Sequence, residues 1–135
     1  MNLQEFLNNN PVDNVTEEVV ISERFKAGKD KYLKFKIKAM TNNEFEEIRK
    51  KSTTMKKKGK VDFDVQKFNL SIIIENTVYP DFKDAESIKK LGCITPEDYV
   101  KKVLLAGEIV ELSTQIQKLS GFDQDMDTLV EEAKN

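Results

Sequence analysis

Apolar and polar positions alternate strictly in one early stretch of the chain. Leu33, Phe35 and Ile37 alternate with three lysines, and this period of two predicts a strand with one buried and one solvated face. The segment at 15–25, VTEEVVISERF, is rich in β-branched residues and predicts a second strand. Turn-forming residues at 27–31, AGKDK, lie between the two. The pattern therefore predicts an N-terminal β-hairpin.

After the hairpin the apolar spacing becomes that of helices. The segment at 41–51, TNNEFEEIRKK, begins with Thr41 and has Glu44 three positions later, which is the arrangement of a capping box. A second and more apolar helix is predicted to begin near Asp64, because Val65, Phe68 and Ile72 would share one of its faces. This helix is expected to be the central one.

Further start and stop signals predict more helices. Asp84 opens a short helix, and Thr95 followed by Pro96 opens another. A longer helix follows and is expected to end at Gly121. The fold class is therefore α+β: the N-terminal β-hairpin, with room for a further strand that would make a small antiparallel sheet, packs against four to five α-helices.

The chain of 135 residues is expected to form one domain, residues 1–135. Three segments are expected to be less firmly held. They are a flexible N-terminal arm (1–14), a mobile lysine-rich loop (50–61) and a weakly anchored C-terminal helix (121–135).

The charge balance argues against a general affinity for polyanions. Lysine and arginine total 22 and aspartate and glutamate total 24, so basic binding would have to be local. The lysine-rich loop could supply a local basic face, but it contains no aromatic residue, which favours a solvated loop over a nucleic-acid site. The alternative role is electrostatic contact with an acidic partner protein, for which the candidate residues are Lys56, Lys57, Lys58 and Lys60.

Little in the sequence predicts chemistry. The chain has no histidine, and Cys93 is its one cysteine, so we interpret this thiol as a half-buried filler and not as a nucleophile. The glycine-rich phosphate-binding motifs are absent. The acidic stretch at 123–127, DQDMD, lacks the glycine and the glutamate of a calcium loop. The sequence thus predicts no enzyme, no cofactor and no metal site.

The compartment follows from cysteine usage and from hydropathy. One cysteine can form no internal disulfide, which agrees with a reducing cytoplasm. The longest apolar cluster, at 72–74, is far too short to cross a bilayer. A cytoplasmic protein with no membrane contact is predicted.

Several segments together carry a resemblance to a known family. They are Asn76-Thr77-Val78 with Pro80, Phe82 and Lys83; Leu105 with Gly107-Glu108; Gly121-Phe122; and 129–135, LVEEAKN. Over nearly its whole length the chain resembles the XkdN-like tail assembly chaperones of phages and defective prophages of Gram-positive bacteria. The resemblance implies a protein of the host cytoplasm, not expected in the mature virion. It would bind the tape measure protein, keep it soluble and help tail tube subunits assemble around it.

The resemblance implies partners, and two apolar sets are candidates to bind them. The first is a stripe at helical spacing; the alternative for this stripe is that it is simply core. The second lies in the C-terminal segment. The candidate residues are Ile109, Leu112, Ile116 and Leu119 in the stripe, and Met126, Leu129 and Val130 in the C-terminal segment.

The expected partners are the tape measure protein and, as a second candidate, the tail tube protein; nucleic acid is not expected, and homo-oligomerisation stays open. Two other functions are retained as alternatives. One is a structural tail component kept in the virion, and the other is a small nucleic-acid-binding module.

Overall fold

The computed structural model describes residues 1–122 and has an α+β architecture. Within those residues there are six α-helices, one short 3₁₀ helix (Lys57–Gly59), one antiparallel sheet of three strands and one of two. In chain order the elements are α1 (Leu3–Asn9), β1 (Thr16–Val19), β2 (Phe35–Lys38), α2 (Asn42–Lys51), β3 (Thr53–Met55), β4 (Val61–Phe63), α3 (Val65–Asn76), β5 (Thr77–Tyr79), α4 (Ala85–Lys90), α5 (Pro96–Val103) and α6 (Ala106–Leu119).

The predicted N-terminal hairpin is confirmed, although its connection is long. Strands β1 and β2 pair antiparallel, with Val19 opposite Phe35. Phe35 and Ile37 are buried and Lys36 is exposed, so the alternation does mark a half-buried sheet. Residues 20–34 form the long loop that connects the two strands, and we call this loop the 20–34 excursion. Strand β5 pairs with the other side of β2 and completes the small antiparallel sheet.

The predicted helix starts are confirmed at α2 and α3. The Thr41 hydroxyl accepts from the backbone N–H of Glu44 at 3.3 Å, and the Glu44 carboxylate accepts from the N–H of Thr41 at 2.9 Å. Asp64 accepts from the N–H of Lys67 in the same manner. These side chains satisfy N–H groups that have no partner inside the helix, which is why a short sequence signal could locate them.

The predicted stop at Gly121 is also confirmed. Gly121 has a φ of 96°, a left-handed conformation that favours glycine. Its N–H donates to the carbonyl of Lys118, and the N–H of Phe122 donates to the carbonyl of Gln117, both at 3.0 Å. This paired arrangement is a Schellman motif, and it satisfies two carbonyls at the end of α6.

The core lies where α3 and α6 pack on each other and on the sheet. Both helices contribute side chains with no exposed surface, and the sheet and α5 add one each. The fully buried apolar residues of this group are Ile37, Ile72, Ile73, Val100, Leu112 and Ile116. Within residues 1–122, every helix is too short or too polar to cross a membrane.

The N-terminal arm contains a helix that the sequence analysis did not predict. The Asn2 side chain accepts from the N–H of Glu5 at 2.8 Å and caps α1. The asparagines and Pro11 obscured this signal, although asparagine is a good N-cap residue. All of α1 is exposed. Flexibility of residues 1–14 stays a prediction.

The lysine-rich loop forms a second hairpin, from β3 and β4. The N–H of Lys56 donates to the carbonyl of Lys60 at 2.6 Å and closes the turn. Lys58 and Gly59 adopt positive φ angles of 70° and 74°. Residues of higher β propensity, such as Thr53, Thr54, Val61 and Phe63, stand on both sides of this turn among the dense lysines. The mobility of residues 50–61 stays a prediction, and the predicted C-terminal helix lies outside the described residues beyond Phe122.

Candidate functional site

The apolar stripe of α6 belongs to the core. Leu112 and Ile116 have no exposed surface, and Ile109 and Leu119 are partly buried against the same core. The burial supports the alternative stated for this stripe, that it is simply core. A partner could touch Leu112 or Ile116 only if α6 left the fold. The other apolar candidates, Met126, Leu129 and Val130, lie outside the described residues.

The candidate lysines do come together in space. Lys56, Lys57, Lys58 and Lys60 are exposed around the tip of the β3–β4 hairpin. Lys56 Nζ lies 3.7 Å from Asp62 Oδ2, an exposed pair of the kind that contributes about 0–1 kcal/mol. Their role in electrostatic contact stays a prediction.

The structure also shows the surroundings of Cys93 and of the side chains that could bind a metal ion. Cys93 is partly exposed, and its Sγ lies 3.9 Å from the carbonyl oxygen of Leu91. Within residues 1–122, no group of three or more histidine, cysteine, aspartate or glutamate side chains is arranged to hold a metal ion.

An apolar groove of about 260 Å³ lies on the surface of the molecule. One wall comes from the 20–34 excursion and the start of β2, and the other from the end of β5 and from α5. Nine of its ten lining residues are aromatic or aliphatic, and Lys34 is the charged one. The groove is lined by Phe25, Leu33, Lys34, Phe35, Tyr79, Pro80, Phe82, Tyr99, Val103 and Leu104.

The floor of the groove is a row of aromatic rings in contact. The rings of Phe25 and Phe35 meet edge to face with their centroids 5.2 Å apart. Phe82 lies 6.4 Å from Phe35 and 6.2 Å from Tyr99. Such contacts contribute about 0.5–1.5 kcal/mol per pair beyond burial alone. The floor is thus packed against the hydrophobic core.

The rim of the groove is open to solvent. Leu33 is 54% exposed and Tyr79 is 68% exposed, while Phe35 and Phe82 beneath them are buried. Two apolar side chains that a partner can reach thus stand beside the cavity.

A partly buried ion pair fastens the two walls of the groove together. Arg24, in the 20–34 excursion, donates from Nη2 to Glu108 Oε1 at 2.7 Å and from Nε to Oε2 at 3.0 Å. The same Nη2 donates to the carbonyl of Val103 at 2.9 Å. The guanidinium carbon also lies 4.6 Å from the centre of the Phe25 ring. We call this set of contacts the Arg24–Glu108 clamp.

The clamp holds Glu108 in its ionised form. Hydrogen bonds from Arg24, and then from the backbone N–H of Leu105, outweigh the opposing effect of burial and lower the pKa of Glu108 to about 2. The same bond to Glu108 raises the pKa of Arg24 above its ordinary value. The Glu108 side chain is 7% exposed and the Arg24 side chain 47% exposed, so a buried carboxylate takes its counter-ion from a more exposed side chain.

Neither the groove nor the clamp was predicted. Glu108 stands three positions after Leu105, the spacing of half a capping box, and that signal could have marked it as a helix-start residue. Nothing local connects it to Arg24, which is 84 positions away. The groove likewise collects side chains from three separate parts of the chain. No single periodic pattern along the sequence includes all of them.

Comparisons with known proteins agree over most of the chain. The model of the family described as phage XkdN-like tail assembly chaperone protein matches residues 3–134. The phage-like element PBSX protein XkdN of Bacillus subtilis is 35% identical over 123 residues, covering 87% of this chain and 83% of that protein. The uncharacterized protein YqbN of Bacillus subtilis is 36% identical over 123 residues, which again cover 87% of this chain and 83% of that protein. A crystal structure of the protein YqbN superposes with a TM-score of 0.70 and 31% identity, covering 91% of this chain and 98% of the other.

Proposed function

Because the chain belongs to the family of phage XkdN-like tail assembly chaperones, we propose that it acts without catalysis, by binding the tape measure protein while the tail is built. In this proposal the chain works in the host cytoplasm. It keeps its client soluble and releases it as tail tube subunits assemble. Family membership is the observation that carries the proposal.

The surface of the molecule supports this role. A chaperone of an amphipathic client needs an apolar groove on an otherwise soluble body. The chain offers a groove with exposed Leu33 and Tyr79 at its rim, and 34% of all its residues are charged. The groove, unlike Leu112 and Ile116 of the α6 stripe, can be reached without unfolding any helix.

Co-expression tests the proposal. The tape measure protein encoded with this chain is expressed alone and together with the tagged chain. We expect the soluble fraction of the tape measure protein to rise with the chain and the two proteins to co-purify. A control variant carries Leu112→Asp, which places an unpaired charge in the core and should prevent the chain from folding. If the tape measure protein stays insoluble with the wild-type chain and no complex forms, the proposal is wrong.

The assembled particle provides a second test. A chaperone leaves before the particle is complete, so purified particles should lack the chain while lysates of producing cells contain it. Mass spectrometry of both fractions measures this. Stoichiometric presence in particles would instead support a structural tail component.

A further inference from the structure

We propose that the groove holds an amphipathic helical segment of the tape measure protein, which inserts apolar side chains and places an acidic residue beside Lys34. This inference rests on the proposed function, since it takes its client from there. It adds the surface that binds the client and the chemistry of the segment that is bound.

The size and lining of the groove favour side chains over a small molecule. Its volume of about 260 Å³ falls below the 300–1,000 Å³ typical of cofactor and ligand sites. Its lining is apolar apart from Lys34, so it offers few of the polar groups that orient a cofactor. A groove of this kind suits a few apolar side chains from one face of a helix.

The charge around the groove selects an acidic segment. Lys34 is the charged residue of the lining, and no carboxylate lines it. Lys36 does not line the groove, but it stands opposite Tyr79 in the sheet, and Glu18 faces it from β1. Among residues 1–122, neither lysine lies within 4 Å of a carboxylate oxygen, so both charges remain available to a partner.

The Arg24–Glu108 clamp prepares the groove for binding. It joins the excursion wall, which carries Phe25, to the wall that carries Val103. A groove whose walls are already fixed loses less conformational entropy when a partner binds, and this raises affinity. Arg24 thus acts as a positioning residue for the groove, while its charge is already matched by Glu108.

The test measures affinity with peptides and uses the full chain. Overlapping 20-residue peptides that span the tape measure protein are titrated against the wild-type chain by fluorescence anisotropy, and the tightest is retained. Leu33→Asp and Tyr79→Ser each alter the rim of the groove at a side chain that is more than half exposed. Ile94→Asp is the matched control, because Ile94 is 89% exposed and does not line the groove. Circular dichroism checks that each variant is folded.

We expect each rim substitution to weaken binding by about tenfold or more, as for the anchors of other interfaces, and the control to bind like wild type. Lys34→Glu should weaken binding as well. Replacing the acidic residue of the peptide by lysine should restore the affinity for Lys34→Glu, which identifies the charge pair.

The outcomes separate this inference from the proposed function. If the wild-type chain binds neither the tape measure protein nor any peptide, the proposed function fails and the inference fails with it. If the wild-type chain binds and both rim variants bind equally well, the proposed function stands and the groove is the wrong surface. If the rim variants weaken binding but Lys34→Glu does not, the acidic segment is the wrong chemistry.

Discussion

The α6 stripe and the groove are both apolar, but they differ in how far solvent reaches their side chains. The stripe (Ile109, Leu112, Ile116, Leu119) comes from one helix, and its two central residues have no exposed surface. The groove comes from three separate segments, and its rim residue Tyr79 is 68% exposed. The more visible pattern in the sequence thus contributes to the core, while the less visible one forms an accessible apolar groove.

The difference has a physical origin. Helical spacing shows that a helix has one apolar face, but it does not show whether another part of the same chain covers that face. Here α3 covers it, with Ile72 and Ile73 fully buried in the same core. A groove requires side chains that come together only after folding, so no window along the chain displays it.

The largest effect should follow from shortening a residue of the stripe. Leu112→Ala removes a fully buried side chain and should lower the free energy of unfolding by about 2–5 kcal/mol. Leu33→Ala, in the exposed rim, should cost less than about 1 kcal/mol. Urea denaturation of both variants measures the contrast. Equal and small losses would show that the stripe is not core.

The clamp should make stability depend on pH. The pKa of Glu108 is about 2 in the folded chain and near its ordinary 4.5 when unfolded, so its stabilising effect is complete above pH 4.5 and is lost as the pH falls through 2. Glu108→Gln should therefore be less stable than wild type at pH 7, and the difference should shrink between pH 4.5 and 2. Urea denaturation across that range tests this. A difference that stays constant with pH would mean that the clamp does not hold the carboxylate ionised.

The smallest effect is expected at the β3–β4 hairpin. Replacing Lys56, Lys57 and Lys58 by serine should change the free energy of unfolding by less than about 0.5 kcal/mol, because all three are exposed. The 3.7 Å pair between Lys56 and Asp62 is exposed on both sides, so its loss is expected at the low end of the range of about 0–1 kcal/mol for such pairs. A large fall in the thermal midpoint would show that this hairpin supports the fold.

The features that local chemistry determines were predictable. The caps at Thr41, Asp64, Asp84 and Thr95 need only a side chain and an N–H three positions away, and Gly121 needs only its own conformational freedom. The α1 helix and the β3–β4 hairpin were missed, although Asn2 and the residues around Gly59 carried signals of the same local kind. Both signals stand in asparagine-rich or lysine-rich segments, a composition that is more typical of flexible connections.

The features that depend on contacts between distant parts of the chain were not predictable in the same way. Arg24 and Glu108 are 84 positions apart, and each alone is an ordinary charged residue. Only the fold shows that Arg24 bridges the two walls of the groove and that Glu108 is buried. The candidate site therefore had to be found in the structure, while the family could be identified from the sequence.

Amide hydrogen exchange of the chain, free and in complex with the tape measure protein, tests the central distinction most directly. It reports on the groove and the α6 stripe in one experiment. We predict slower exchange in the complex at residues 33–35 and 99–104, and unchanged protection at residues 109–119. Faster exchange along α6 with no change at the groove would contradict the account, because the client would then bind a helix that has left the core.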